Sequence, residues 1–163
     1  MLLLIAERVL GYAPAPLHRL ALRIAHRIRR HWWRIRKPTI RGCRVLGIDP
    51  QGRVLLVRHS YGSPNWMPPG GGVKPAEDPL IAATREFGEE IGIPLIAPRL
   101  IAATHDDLHG AGNVSYIVMG TCSGSPAPDG REIVEARFFT PGDWPSPMSE
   151  GLKGSMMAWL KEG

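Results

Sequence analysis

The feature that most restricts how this chain can fold is the stretch Arg85-Glu86-Phe87-Gly88-Glu89-Glu90-Ile91-Gly92, three carboxylates and a guanidinium set around a large aromatic. On a helix, side chains three and four apart are neighbours, so Glu86, Glu89 and Glu90 are expected on one face. Like charges at that spacing repel, and the C-terminal end of a helix carries the negative pole of the peptide dipole, so unpaired glutamates there are doubly unfavourable. Such a run either faces water or holds a counter-ion, and clustered carboxylate oxygens suit a hard divalent cation such as Mg²⁺.

The flanking residues delimit the helix. Asp78 reads as its N-cap, with Pro79 at the first helical position, where a missing N–H does no harm. Leu80, Ala83, Thr84 and Phe87 follow at three- and four-residue steps as the expected buried stripe. Gly92 supplies a left-handed stop and Pro94 prevents a restart. Just upstream, "PPGGGVKPAE" at 68–77 contains Gly70, Gly71 and Gly72, whose backbone can approach other groups closely and aim carbonyls at a metal or amides at a phosphate. A tight turn is the plainer reading of a glycine run. It is not a Walker A loop, because Lys74 is followed by Pro75 instead of Ser or Thr.

Together the two pieces resemble the Nudix hydrolases of the MutT-like kind. Gly71, five residues, Glu77, seven residues, then Arg85 through Ile93 is similar to that family's full signature over 23 positions, with each fixed position occupied. The wider resemblance covers roughly residues 39 to 160. It implies an α/β fold, the Nudix-type α/β/α sandwich with a mixed sheet. It also implies hydrolysis of a diphosphate linkage in a nucleoside diphosphate derivative, with Mg²⁺, or Mn²⁺ as a substitute. By matching positions, the resemblance makes Glu89, Glu90 and the carbonyl of Gly70 metal ligands, and Glu86 either a further ligand or the base. Arg85 and Glu77 become an orienting pair, although an ordinary ion pair would look the same. Relatives carry leucine-proline before the glycines, whereas this chain has Pro68-Pro69, a departure that stiffens the approach and bears on the pocket more than on the metal.

Family members often recruit one more acid from a later loop. Glu132, ahead of Phe138-Phe139, is the candidate here, with Glu135, Asp106 and Asp107 as competitors and an exposed strand-entry acid as the plainer reading. For substrate, Gly71 and Gly72 are placed by the signature. Trp66 would either stack on a base or simply pack, and Arg58, with His59 beside it, would reach a phosphate from a strand end. His105 and His109 flank acids in a loop and carry no assignment.

Charge divides the chain in two. Residues 1–37 hold nine basic side chains against Glu7, a net of +8, while the remainder has eleven basic against fourteen acidic, a net of −3. Leu17, Leu20, Ala21, Ile24, Ile28 and Trp32 recur at helical spacing among arginines, so 1–38 reads as a basic amphipathic helical extension and 39–163 as the Nudix domain. Its apolar stripe is expected to dock on its own domain or on a second copy, giving a homodimer. RNA or an anionic membrane surface is a less favoured partner than a small-molecule nucleotide derivative.

The remaining segments are ordinary for one domain. "RGCRVLGID" and "GRVLLVRHS" around "DPQG" read as a hairpin, "LIAATHDD", "VSYIVMGTC" and "VEARFFT" as strands, and the end as a closing helix. No apolar run approaches the ~20 residues that cross a bilayer. Cys43 and Cys122 have no metal-ligand spacing, and a reducing cytoplasm is expected. Three functions stay open: a Mg²⁺-dependent diphosphate hydrolase, an RNA 5′-end pyrophosphohydrolase that uses the basic helix, and a non-catalytic nucleotide-metabolite sensor. A sensor would have no need to keep the full acidic cluster.

Overall fold

The computed structural model describes residues 40–108, 111–128 and 130–162, besides Ala21 and Ile24, without the side chains of 106–108 and 111. The extension at 1–38, apart from those two residues, lies outside the described residues, as do His109 and the side chains of Asp106 and Asp107.

Apolar and β-branched runs form the strands β1 (Ile40–Ile48), β2 (Val54–His59), β3 (Ile96–Leu108), β4 (Ala111–Thr121) and β5 (Ile133–Phe139). Helix α1 spans Pro79–Ile91 and helix α2 spans Glu150–Glu162. The strands lie in the order β3-β4-β1-β2-β5. β1 runs parallel to β4 and the other neighbours are antiparallel, so the sheet is mixed.

Both faces of the sheet are covered, which is why β2 carries a continuous apolar run, buried from Val54 to Val57. Alternation sends Val45, Leu55 and Val57 to one core with Phe87 and Ile91 of α1, and Leu46, Val54 and Leu56 to a second core with Met156 of α2. A mixed sheet between two helix layers is the expected α/β/α sandwich. Gly47 sets how closely α1 approaches, because a Cβ there would stand 2.7 Å from the ring of Phe87. Among the described residues no helix is long and apolar enough to cross a membrane.

Two local expectations are corrected. β1 and β2 are antiparallel neighbours but pair only at Ile48 and Val54, so the hairpin opens like a wedge. The glycine segment fills that wedge: Val57 and Met67 exchange backbone bonds at 2.8 and 3.1 Å, Val45 N–H donates to Pro69 at 2.8 Å, and Cys43 N–H donates to Gly71 at 2.9 Å. The cause is the buried backbone of β1 and β2, whose polar groups must find partners, and residues 67–73 supply them. On α1, Thr84 is exposed, its hydroxyl donating to the carbonyl of Leu80 at 2.8 Å, and the buried stripe is Ala82, Ala83, Phe87 and Ile91. Ala83 and Phe87 are buried and Leu80 packs against the same core as expected, so Thr84 alone departs from the stripe.

Candidate active site

The site begins with how α1 starts and stops. Asp78 caps it by accepting from the backbone N–H of Leu80 at 2.7 Å and of Ile81 at 3.4 Å, and Gly92 ends it at φ 75° with its N–H on the carbonyl of Gly88. With Phe87 and Ile91 buried, Glu86 and Glu90 of the same turns are turned toward the glycine segment, while Glu89 stays 62% exposed.

Two glycines let that segment touch the helix. Gly70 has φ 144°, and a Cβ there would lie 2.2 Å from the carbonyl oxygen of Cys43. A Cβ on Gly71 would lie 2.4 to 2.8 Å from the carboxylate atoms of Glu86, so a side chain there would displace that carboxylate. The Gly70 N–H donates to Glu90 Oε2 at 2.9 Å.

Arg85 is the hub between loop and helix. Its Nε and Nη2 donate to the two carboxylate oxygens of Glu77 at 3.1 and 3.2 Å, and Nη2 also reaches the carbonyl of Gly72 at 3.2 Å. Its Nη1 donates to Glu86 at 2.8 Å and to Glu89 at 3.3 Å. Glu77 additionally accepts from the N–H of Lys74 at 2.8 Å, which closes the turn ahead of the helix. The guanidinium keeps the Glu77 carboxyl below its usual range, and Glu77, then Glu86, raise the proton affinity of Arg85 in return.

The inner carboxylates behave as anions short of a counter-charge. Burial pushes Glu90 up to about 8, against the Gly70 N–H and with the added repulsion of Glu132 and Glu86. Burial also raises Glu86, opposed by Arg85 and reinforced by Glu89 and Glu132. Glu132, at the entry to β5, therefore shares one electrostatic neighbourhood with Glu86 and Glu90. Glu135 is occupied elsewhere, paired with Arg58 at 2.7 Å and with Arg137.

These residues fit a hard divalent cation in donor chemistry: all are oxygen donors, carrying more negative charge than Arg85 and the Gly70 amide offset. Among the described residues no three acidic, histidine or cysteine side chains are already converged on a common point.

The residues proposed for substrate are placed differently from the acids. Trp66 is buried in the core on the α2 side, edge-on to Phe139 at 5.0 Å between ring centroids, and Arg58 lies over its indole at 5.6 Å. Trp66 is thus a packing residue here and Arg58 its cover and the partner of Glu135, because an indole beside a strand end buries more surface in a core than in an open loop. Gly71 and Gly72 do border the acidic cluster through Glu86 and Arg85.

Sequence reasoning missed Arg44, a half-buried guanidinium on β1 whose Nη1 reaches Met67 Sδ at 3.4 Å and the carbonyl of Pro68 at 3.5 Å. Its charge favours the ionised form of Glu90 and disfavours protonation of His59. An arginine between Cys43 and the apolar run Val45-Leu46 of β1 was the available signal.

His59 yields a pH prediction. Burial, then Arg44, lowers its pKa from 6.5 to about 4, and its Nδ1 is buried without a hydrogen-bond partner. The unfolded chain binds the extra proton between those values, so the contribution of His59 to stability is complete above about pH 6.5 and is lost as pH falls toward 4. The difference in urea stability between the unaltered chain and His59→Leu should change by about 2–3 kcal/mol across that window. A pH-independent difference would show that His59 is solvated in the folded state.

Comparisons with known proteins agree with this arrangement. A family model described as the NUDIX domain matches residues 38–160. An RNA pyrophosphohydrolase of Hahella chejuensis is 41% identical over 60 residues, 37% of this chain and 37% of that protein. Diphosphoinositol polyphosphate phosphohydrolase 2 of Rattus norvegicus is 43% identical over 51 residues, 31% of this chain and 28% of that protein. The chain thus matches about a third of the length of these curated relatives. The crystal structure of a MutT NUDIX hydrolase from Burkholderia pseudomallei superposes with a TM-score of 0.64 at 25% identity, covering 76% of this chain and 97% of that one. With a family match over most of its length and the sandwich in common with a solved member, the chain belongs to the Nudix hydrolase family as a MutT-like member, in a family that acts on phosphoric anhydride bonds.

Proposed function

We propose that this protein is a Mg²⁺-dependent hydrolase that cleaves the diphosphate linkage of a nucleoside diphosphate derivative in the cytoplasm. The observation that carries the reading is the juxtaposition of Glu86, Glu90 and Glu132 as mutually repelling carboxylates beside the bare backbone of Gly70 and Gly71. Glu86, Glu89, Glu90, Glu132 and the Gly70 carbonyl would hold the cation. A divalent ion bound there supplies neutralisation of charge on the phosphate oxygens and lowers the pKa of water.

The protein's own groups do the rest. Arg85 and Glu77 tie the glycine segment to α1, so that the acids and the backbone facing the substrate keep one geometry. Glu86 is a further ligand or the base that takes a proton from the attacking water, as the resemblance to the family implies. The glycine amides of 71 and 72 offer donors to a phosphate without a side chain in the way.

A second reading keeps the chemistry and changes the substrate to a 5′-triphosphorylated RNA. Its support is the net charge of +8 within residues 1–37, together with a relative named for that activity. Both readings are tested by measuring phosphate and nucleoside monophosphate release from ADP-ribose, dinucleoside polyphosphates, NADH, sugar nucleotides, nucleoside triphosphates and 5′-triphosphate RNA, with Mg²⁺ and with chelator. Turnover of RNA that weakens steeply with salt selects the second reading. Mg²⁺ binding without turnover of any of them selects a sensor.

A further inference from the structure

We propose that Tyr61 is a positioning residue for Glu132, its phenol orienting that carboxylate so that the acid of β5 is presented to the carboxylates of α1 as a donor of the same metal centre. The inference rests on the metal-dependent reading above and adds to it a residue outside the family signature.

Glu132 stands on a pinned backbone with an unpinned side chain. Ser60 fixes the main chain around it: the Ser60 N–H donates to the carbonyl of Glu132 at 2.9 Å and its hydroxyl to the carbonyl of Arg131 at 2.7 Å. The next residue, Ile133, is 1% exposed and belongs to the core under α1. A register shift between Arg58 and His59 sets Arg58 opposite Glu135 and His59 opposite Ile133, leaving Val134 as the extra residue of a bulge. That shift lets Ile133 share the α1-side core with Ala136 and Phe138, which strict alternation would forbid.

The Glu132 side chain itself is exposed, so neither packing nor backbone sets the direction of its carboxylate. The Tyr61 hydroxyl does, donating to Glu132 Oε1 at 2.7 Å. This is the usual length of an O–H···O bond, and it restricts where Oε1 can lie. The Tyr61 ring is held in turn by His59, 5.6 Å away between centroids and tilted by 53°. With Oε1 taken by the phenol, Oε2 is the oxygen left with its full capacity to donate to a cation. Hydrogen-bonding partners that orient a metal's carboxylate ligands commonly change metal affinity by about 10- to 100-fold.

The test is a double-mutant cycle on the full chain, with Mn²⁺ binding followed by loss of the free-ion electron paramagnetic resonance signal. Tyr61→Phe removes one oxygen and should weaken Mn²⁺ binding about tenfold, with the melting temperature in chelator unchanged. Glu132→Gln should weaken it at least as much, and the double variant should bind no more weakly than Glu132→Gln alone, because the phenol acts through that carboxylate. Binding by Tyr61→Phe equal to that of the unaltered chain, or effects of the two changes that simply multiply, overturns the role of Tyr61. Mn²⁺ binding that requires Glu90 yet ignores both Tyr61 and Glu132 removes this inference and leaves the hydrolase reading standing. No Mn²⁺ binding by the unaltered chain removes both.

Discussion

Glu90→Gln is expected to lower kcat on the preferred diphosphate substrate by about 10³-fold, while the melting temperature of the chelated protein stays the same or rises. Loss of one anionic ligand removes several kcal/mol of charge stabilisation in the transition state, which converts to a rate loss of that order. Stability responds in the opposite sense because the carboxylate is buried among like charges, with its pKa pushed up to about 8. A glutamine is isosteric and neutral, and its amide oxygen still accepts from the Gly70 N–H that now holds Glu90 Oε2 at 2.9 Å. The repulsion from Glu132 and Glu86 disappears with the charge. Steady-state rates and thermal melts in EDTA, on the same preparation, decide the matter. A parallel loss of activity and melting temperature would mean that Glu90 is part of the scaffold, and an unchanged rate would remove it from the catalytic centre.

Gly70→Ala should be the most destabilising single-carbon change in the glycine segment, at about 3 kcal/mol or more. A φ of 144° is disfavoured for any L side chain, and the added Cβ would stand 2.2 Å from the Cys43 carbonyl oxygen, a backbone atom locked in β1. Relief of the clash would pull residues 67–73 out of the wedge and take the N–H away from Glu90. Gly88→Ala is the contrasting control: a Cβ there meets nothing within 4 Å, so the same chemical change inside the same signature should stabilise α1 by about 0.5–1 kcal/mol. Urea unfolding of the two variants tests the pair. Equal effects at both positions would show that the glycines matter only through chain entropy.

Much of the site was legible because helical geometry is local. Spacing alone placed Glu86, Glu89 and Glu90 on one helix, and the caps at Asp78 and Gly92 bounded it at Pro79 and Ile91, as the structure has them. The Arg85 and Glu77 pairing follows from a signature whose residues lie eight apart, within reach of one loop and one turn. The buried stripe was right at Leu80, Ala83 and Phe87 and wrong at Thr84, which was read as inward on pattern although its hydroxyl bonds back to its own helix. Trp66 shows the limit from another side. Its neighbours in sequence are loop residues, and nothing local reveals that Phe139 and Arg58 enclose it.

What the sequence by itself determined is therefore the helix, its termini, the acidic cluster and the family, all of which depend on contacts within about one loop and four helical turns. Only the tertiary structure decided that β1 and β2 part to admit the glycine segment, that β1 lies parallel to β4, that Arg44 stands near Glu90, and that Ser60 and Tyr61 meet Glu132. The reason is physical. Each of those pairings joins residues far apart along the chain, and the choice among partners is made by which arrangement satisfies buried backbone groups and fills both cores at once.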